Sequence, residues 1–179
     1  MKTNILCAIF ALTFVVSGCR SSKSPIDTFV MPCSEQVSEN GVIHAWASGQ
    51  SDSKTAARQK AQINALADLA TKLNATVGAT TDKYISTLGE GEQANKSKTF
   101  LNTKIQSTVK QTLTNAKIIC DQWTEDKATG QFTNYIMMEI NGKEYMDLLF
   151  EELSKNREVT IDKEILNKLF LENIEKSNK

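Results

Sequence analysis

Four cysteines carry most of the reactive chemistry in this chain, and Cys19 has the most informative surroundings. It directly follows a serine and a glycine, and these end an apolar stretch, residues 5–16, that has Lys2 ahead of it. Such a stretch is too short to span a bilayer and is typical of a cleaved export signal. Small residues give a signal peptidase access, and a thiol can accept diacylglycerol. We therefore expect residues 1–18 to be a lipoprotein signal peptide and Cys19 to be acylated.

The remaining cysteines predict a covalent cross-link. Cys7 leaves with the signal peptide, so an exported chain keeps only Cys33 and Cys120 besides the acylated residue. Disulfides form and persist in oxidising compartments outside the cytosol. We expect a disulfide between Cys33 and Cys120. The alternative is two unpaired buried cysteines, which pack as small hydrophobic side chains.

Catalytic and metal-binding motifs are missing from the sequence. His44 is the only histidine, so a histidine cluster for a metal cannot form. No Gly-x-Ser-x-Gly or Cys-x-x-Cys occurs, and Gly89-Glu-Gly91 lacks the third glycine and the lysine of a phosphate loop. We expect no enzyme activity, no metal and no cofactor, with His44 an ordinary packed or solvated strand residue.

The charge balance argues against a nucleic-acid partner. The chain has 21 basic and 21 acidic side chains, a formal net charge of zero, whereas nucleic-acid binding requires clustered lysine and arginine. A polybasic membrane anchor is also missing. Membrane attachment would depend on acyl chains such as palmitate on Cys19, and several chains on one residue hold a protein stably.

Two neighbouring segments predict a strand packed against a helix. Residues 42–50 alternate, and the residues of one face are small and apolar. Ser51-Asp-Ser53 offers helix N-caps. Alanine or leucine then recurs every fourth residue, at Ala57, Ala61, Ala65, Leu69 and Leu73. Because alanine allows close approach, we expect the start of this helix to pack on the small face of the strand.

Residues 75–113 fit two different structures. Alternating apolar residues and a high threonine content favour two long strands, joined by a turn at Gly89-Glu-Gly91. The same residues also fit a longer first helix and a second helix, because the four-residue apolar spacing continues through Val77. We favour the two strands, with the longer helices as the alternative.

The last third of the chain predicts a β-hairpin followed by two helices. Residues 116–123 and 132–140 are predicted strands around a loop at residues 126–130. Asn141 is the predicted cap of the next helix, with Glu144 reaching back. The apolar sides are Tyr145, Leu148, Leu149 and Leu153 for this helix, and Ile161, Ile165, Leu169 and Ile174 for the last one.

Three aromatic residues form the candidate interaction patch of this sequence. Trp46, Trp123 and Tyr135 lie on predicted strands, and they could share the sheet face that is turned away from the first helix. Exposed aromatic residues mark interaction surfaces. The alternative is that the C-terminal helices cover them.

The sequence resembles the LPP-twenty lipoprotein family of Gram-negative outer membranes, which is related to the N-terminal domain of a flagellar outer-membrane-ring protein. The matching stretches together span about residues 42–152: the small-residue strand at 45–49, the alanine-rich helix at 56–73, the segment 115–123, and the strand from Gly130 through Tyr135 with its following helix. The helix beyond Lys155 and the two cysteines Cys33 and Cys120 depart from the family pattern. The resemblance implies an α+β domain without catalytic residues.

These observations predict a single α+β domain with a mostly antiparallel sheet, a long N-terminal helix on one face and C-terminal helices. The expected segments are a signal peptide (1–18), an acylated cysteine with tether and arm (19–41), the domain (42–156) and a C-terminal amphipathic helix with its tail (157–179). We expect a non-enzymatic structural or partner-binding lipoprotein of the cell envelope, anchored to the outer membrane and facing the periplasm. Residues 20–24 lack the acidic run of a surface-export signal. The alternatives are a surface-exposed lipoprotein that contacts host or neighbouring cells and, less favoured, a hydrolytic envelope enzyme.

Overall fold

The computed structural model describes residues 32–33, 40–155 and 159–177. The expected signal peptide, Cys19 and most of the tether and arm lie outside these residues. The elements are β1 (Val42–Ser51), α1 (Lys54–Leu88), α2 (Glu92–Thr114), β2 (Lys117–Asp126), β3 (Gln131–Asn141), α3 (Gly142–Ser154) and α4 (Lys163–Ser177). The strands form an antiparallel sheet in the order β1-β3-β2. This arrangement confirms the predicted α+β class, with a long helix first and two helices last.

The favoured prediction of two long strands in residues 75–113 is wrong, because α1 and α2 occupy this region. The threonines that suggested strands bond within the helices. The hydroxyls of Thr80 and Thr81 donate to the carbonyl oxygens of Thr76 and Val77, four residues earlier, at 2.7 and 2.9 Å. Tertiary packing of the four-residue apolar ridge therefore outweighs the β-propensity of threonine.

The start of α1 packs on the small-residue face of β1, which confirms the prediction. The ridge residues are all fully buried: Ala57, Ala61, Ala65, Leu69 and Leu73. The approach is closest at Gly49, where an added Cβ would lie 2.3 Å from the Ala61 nitrogen and 2.4 Å from the Ala57 carbonyl oxygen. Glycine at this position is what allows the α1 backbone to approach the strand.

The polar flank of α1 also covers the outer edge of β1. The Asn64 side chain donates to the Ser48 carbonyl oxygen at 3.1 Å. Lys60 and Lys72 donate to the carbonyl oxygens of Gln50 and His44, each at 3.0 Å. Three outward carbonyl groups of this edge strand are therefore occupied, which helps to protect it from pairing with another chain.

The two C-terminal helices complete the main core. The Asn141 side chain caps α3 by accepting from the backbone N–H groups of Lys143 and Glu144, as expected for a cap. In α4 the predicted apolar stripe is wrong at Ile165, which is 41% exposed. The buried face consists of Leu166, Phe170, Asn173 and Ile174.

Polar contacts fix α4 against α1. The Tyr84 hydroxyl accepts from the Asp162 backbone N–H at 2.8 Å, and the buried Asn173 side chain donates to the Thr80 hydroxyl at 3.0 Å. Within the described part of the chain, no helix combines the length and the apolar character needed to cross a membrane.

Candidate functional site

The sheet face turned away from α1 holds the predicted disulfide. Cys33 and Cys120 are bonded, with their Cα atoms 5.6 Å apart, inside the range for such bonds. Both residues are buried, and Met137 completes the cluster on this face. The bond joins the arm before β1 to the first half of β2 and closes a separation of 87 residues.

A β-bulge in β2 brings Cys120 to this face. Ile118 pairs with Met138, but Cys120 pairs with Met137, so Ile119 is an extra residue in β2. A one-residue shift exchanges the two sides of a strand for every residue that follows. Without the bulge Cys120 would point toward α1, away from Cys33.

The described arm residues cover part of the aromatic patch. The Trp46 indole donates to the Pro32 carbonyl oxygen at 2.9 Å, and its ring stacks on Tyr135 with centroids 6.1 Å apart. Cys33 has φ 68°, a left-handed conformation that costs a non-glycine residue about 1–2 kcal/mol. The disulfide and the Trp46 contact hold the arm in this conformation.

The prediction that Trp46, Trp123 and Tyr135 form one surface patch is therefore wrong. Trp123 pairs with Asn134 and lies on the α1 side, because it follows the bulge. The alternative, that the C-terminal helices cover the aromatic residues, is also wrong. The cluster on the face turned away from α1 consists of Cys33, Trp46, Ile119, Cys120, Tyr135 and Met137, with no member from α3 or α4 among the described residues.

Trp123 lies instead in a polar setting beside the start of α1. Its side chain is 39% exposed. Asp121, two residues earlier on the same face of β2, accepts from Arg58 Nε at 2.8 Å and from the Asn134 side chain at 2.6 Å. The ion pair and the amide fix the position of β2 beside α1, and they leave the indole open to solvent.

His44 is a packed residue of the sheet, as predicted. It is buried, and its Nε2 lies 3.5 Å from a carboxylate oxygen of its cross-strand partner Glu139. Tyr145 is a buried titratable side chain as well; it stacks on Phe170, and desolvation raises its pKa.

On the helical side, described residues line open grooves. One, of about 560 Å³, lies between α1 and the end of α2 and has Leu66, Val109 and Leu113 as its apolar lining. Another, of about 720 Å³, lies along the start of α2 beside Phe100 and Val159. Among the described residues, no group of three or more His, Cys, Asp or Glu residues could hold a metal ion.

The sequence interpretation missed the bulge and, with it, the row of residues on the α1 side of β2. One signal was present: Ile118, Ile119 and Cys120 are consecutive apolar residues, and such a break in alternation is consistent with an extra residue in the strand. Comparison of the chain with protein-family models, with curated proteins and with solved structures finds no match.

Proposed function

We propose that this protein is a lipid-anchored, non-enzymatic lipoprotein of the cell envelope that holds a protein partner at the periplasmic face of the outer membrane. The observation that carries the proposal is the position of Cys19, directly behind a serine, a glycine and a short apolar segment. The proposal includes membership of the LPP-twenty lipoprotein family, on the matching stretches described above.

The disulfide supports an exported location. A buried Cys33–Cys120 bond that joins distant parts of a chain is typical of proteins that fold in an oxidising compartment. A cytosolic protein of this size would keep both thiols reduced.

The same bond limits the distance between domain and membrane. Only 13 residues, 20–32, lie between Cys19 and Cys33. A chain of that length reaches at most about 50 Å when fully extended and about 20 Å on average when flexible. An acylated Cys19 would therefore keep the face that carries Cys33 close to the bilayer.

The described side chains support a binding role over catalysis. His44 is engaged by Glu139, and the larger groove is lined by amides, threonines, one ion pair and the apolar side chains of Phe100 and Val159. A hydrolytic site would bring a nucleophile, a base and an oxyanion donor together in one pocket.

The test is acylation of the full chain. Cells that express the wild-type chain should incorporate labelled palmitate into it, and Cys19→Ser should abolish both the label and the partition into detergent. Cys33→Ser is the matched control and should keep the label. A Cys19→Ser product that still carries labelled fatty acid would contradict the anchor.

Protease treatment of intact cells then tests the orientation. A periplasmic domain should resist protease until the outer membrane is opened. Digestion in intact cells would instead support the surface-exposed lipoprotein that contacts host or neighbouring cells.

A further inference from the structure

The two edges of the sheet differ in their protection. The outer edge of β1 is covered by the side chains of Lys60, Asn64 and Lys72. The outer edge of β2 pairs with no other strand of the described residues, and residues 121–131 are all exposed. An unpaired strand edge is a template for another extended segment.

Successive residues of a strand direct their backbone groups alternately to its two sides, and this alternation shows which residues form the open edge. In β1 the outward carbonyl groups belong to even-numbered residues, so odd-numbered residues of β1 bond to β3. Their partners in β3 are even-numbered, so odd-numbered residues of β3 bond to β2. Tyr135 and Thr133 pair with Gln122 and Thr124, which therefore point inward. The outward backbone groups are those of Asp121, Trp123 and Glu125.

These three residues also point their side chains to one face, toward the flank of α1. Asp121 is neutralised by Arg58, whereas Glu125 makes no ion pair with any described residue. The indole between them is 39% exposed. A carboxylate beside an exposed aromatic face attracts a lysine or arginine side chain through charge and cation–π interaction.

We propose that β2 receives an extended, basic segment of another envelope protein as an additional strand of the sheet. Its backbone pairs with Asp121, Trp123 and Glu125, and its lysine or arginine lies over Trp123 beside Glu125. A second copy of this chain is disfavoured, because the same face of its β2 presents Asp121, Trp123 and Glu125 and therefore offers no lysine or arginine to Glu125. The proposal depends on the proposed function only for the location of the partner.

Peptide titration of the full, isotope-labelled chain in neutral detergent tests this docking site. One probe is a nine-residue peptide that alternates valine with lysine, and the other alternates valine with glutamate. The lysine peptide should shift the amide resonances of Asp121, Trp123 and Glu125 and the Trp123 indole resonance. It should bind about tenfold more tightly than the glutamate peptide, since each 1.4 kcal/mol is a factor of ten. No shift, or equal binding of both peptides, would overturn the proposal.

Substitutions separate the contributions of charge and backbone. Glu125→Lys should reverse the preference between the two peptides. Glu125→Pro removes an outward N–H while leaving the β2–β3 ladder intact, and it should abolish binding. Thr124→Ala changes a neighbour whose backbone points inward, and it should bind as the wild type does. Loss of binding in Thr124→Ala, or normal binding in Glu125→Pro, would rule out strand addition.

Photo-crosslinking in intact cells identifies the occupant. A photoreactive residue at position 123 should capture a lysine- or arginine-containing segment of another envelope protein, and one at position 124 should capture far less. Capture of a second copy of the chain, or of lipid alone, would contradict the proposal. Failure of palmitate labelling together with successful peptide binding would remove the anchor and leave the docking site standing.

Discussion

The two faces of this small sheet are stabilised by different means. On the α1 face, burial of a continuous apolar ridge holds the strands, and residues such as Ala61, Leu69 and Ile136 are fully buried. On the other face, a six-residue cluster centred on a disulfide serves the same purpose. The difference shows that a sheet face that none of the described helices covers can be closed by a covalent bond and the residues next to it.

The two tryptophans lie on opposite faces of the sheet and therefore have different environments. Trp46 lies under the arm and bonds to the Pro32 carbonyl oxygen, whereas Trp123 lies beyond the flank of α1. The position of Trp123 follows from the bulge at Ile119, which turns Cys120 to the face of Trp46 and Trp123 to the other. One inserted residue therefore determines both the cross-link and the face on which Trp123 lies.

Removing the disulfide should have the largest effect on stability. The double variant Cys33→Ala/Cys120→Ala should lose about 4 kcal/mol in the free energy of unfolding, because the unfolded chain regains the freedom of an 87-residue loop. Relief of the left-handed conformation at Cys33 should offset part of this loss. Urea denaturation of the variant, and of the wild type with and without reductant, measures the change in the free energy of unfolding.

Two further outcomes would contradict the role assigned to this bond. One is the same urea midpoint for the oxidised and the reduced wild type. The other is two alkylatable thiols in the native, unreduced chain.

The α1 face should be most sensitive at Gly49. Gly49→Ala should cost about 3 kcal/mol, because its Cβ would collide with the α1 backbone at Ala57 and Ala61, where no flexible side chain can move away. Gly78→Ala is the matched control: its Cβ meets nothing within 4 Å, and it should stabilise helix α1 by about 0.5–1 kcal/mol. Thermal melts of both variants give the comparison. Equal melting temperatures would mean that α1 has room to shift.

The sequence predicts the α1 face well, because the four-residue spacing of alanine and leucine marks the side of α1 that packs on β1. Alanines at positions 57, 61 and 65 opposite the small residues of β1 are enough to predict both elements and their contact. The helices at residues 75–113 could not be distinguished from strands, because the period of the threonines fits both. Only the packing of α2 against α1 and α3 decides between them.

The faces on which the β2 side chains lie were harder to predict, because they depend on strand register. Strict alternation along β2 places Trp123 and Trp46 on one face, and a single bulge reverses this. The disulfide was predicted from counting cysteines and from compartment, neither of which depends on register. The open edge of β2 could not be predicted, because strand order is set by contacts between distant segments.

Alanine substitutions at the two tryptophans compare the faces directly. Trp46→Ala should cost about 2 kcal/mol, because a half-buried ring and its bond to Pro32 are lost. Trp123→Ala should cost less, about 1 kcal/mol, because its side chain is 39% exposed and only its partial burial is lost. Urea midpoints of the two variants measure the difference. Equal losses would mean that Trp123 is covered in solution and that the edge of β2 is closed.

The smallest effect is expected at the hairpin tip, beyond both faces. Asp126 accepts from the Thr129 hydroxyl at 2.8 Å and from the Ala128 backbone N–H at 2.9 Å, and these bonds, the hydroxyl first, lower the pKa of its carboxyl group. A carboxyl group whose pKa is lower in the folded state stabilises the fold above its ordinary pKa of about 3.9, and this contribution is lost as the pH falls through the lowered value.

Asp126→Asn keeps an acceptor for the turn but cannot titrate. Its urea midpoint should therefore fall less than that of the wild type between pH 7 and pH 2.5, with Lys127→Ala as the neighbouring control. An identical acid dependence in Asp126→Asn and the wild type would mean that the turn bonds form equally well with a neutral side chain.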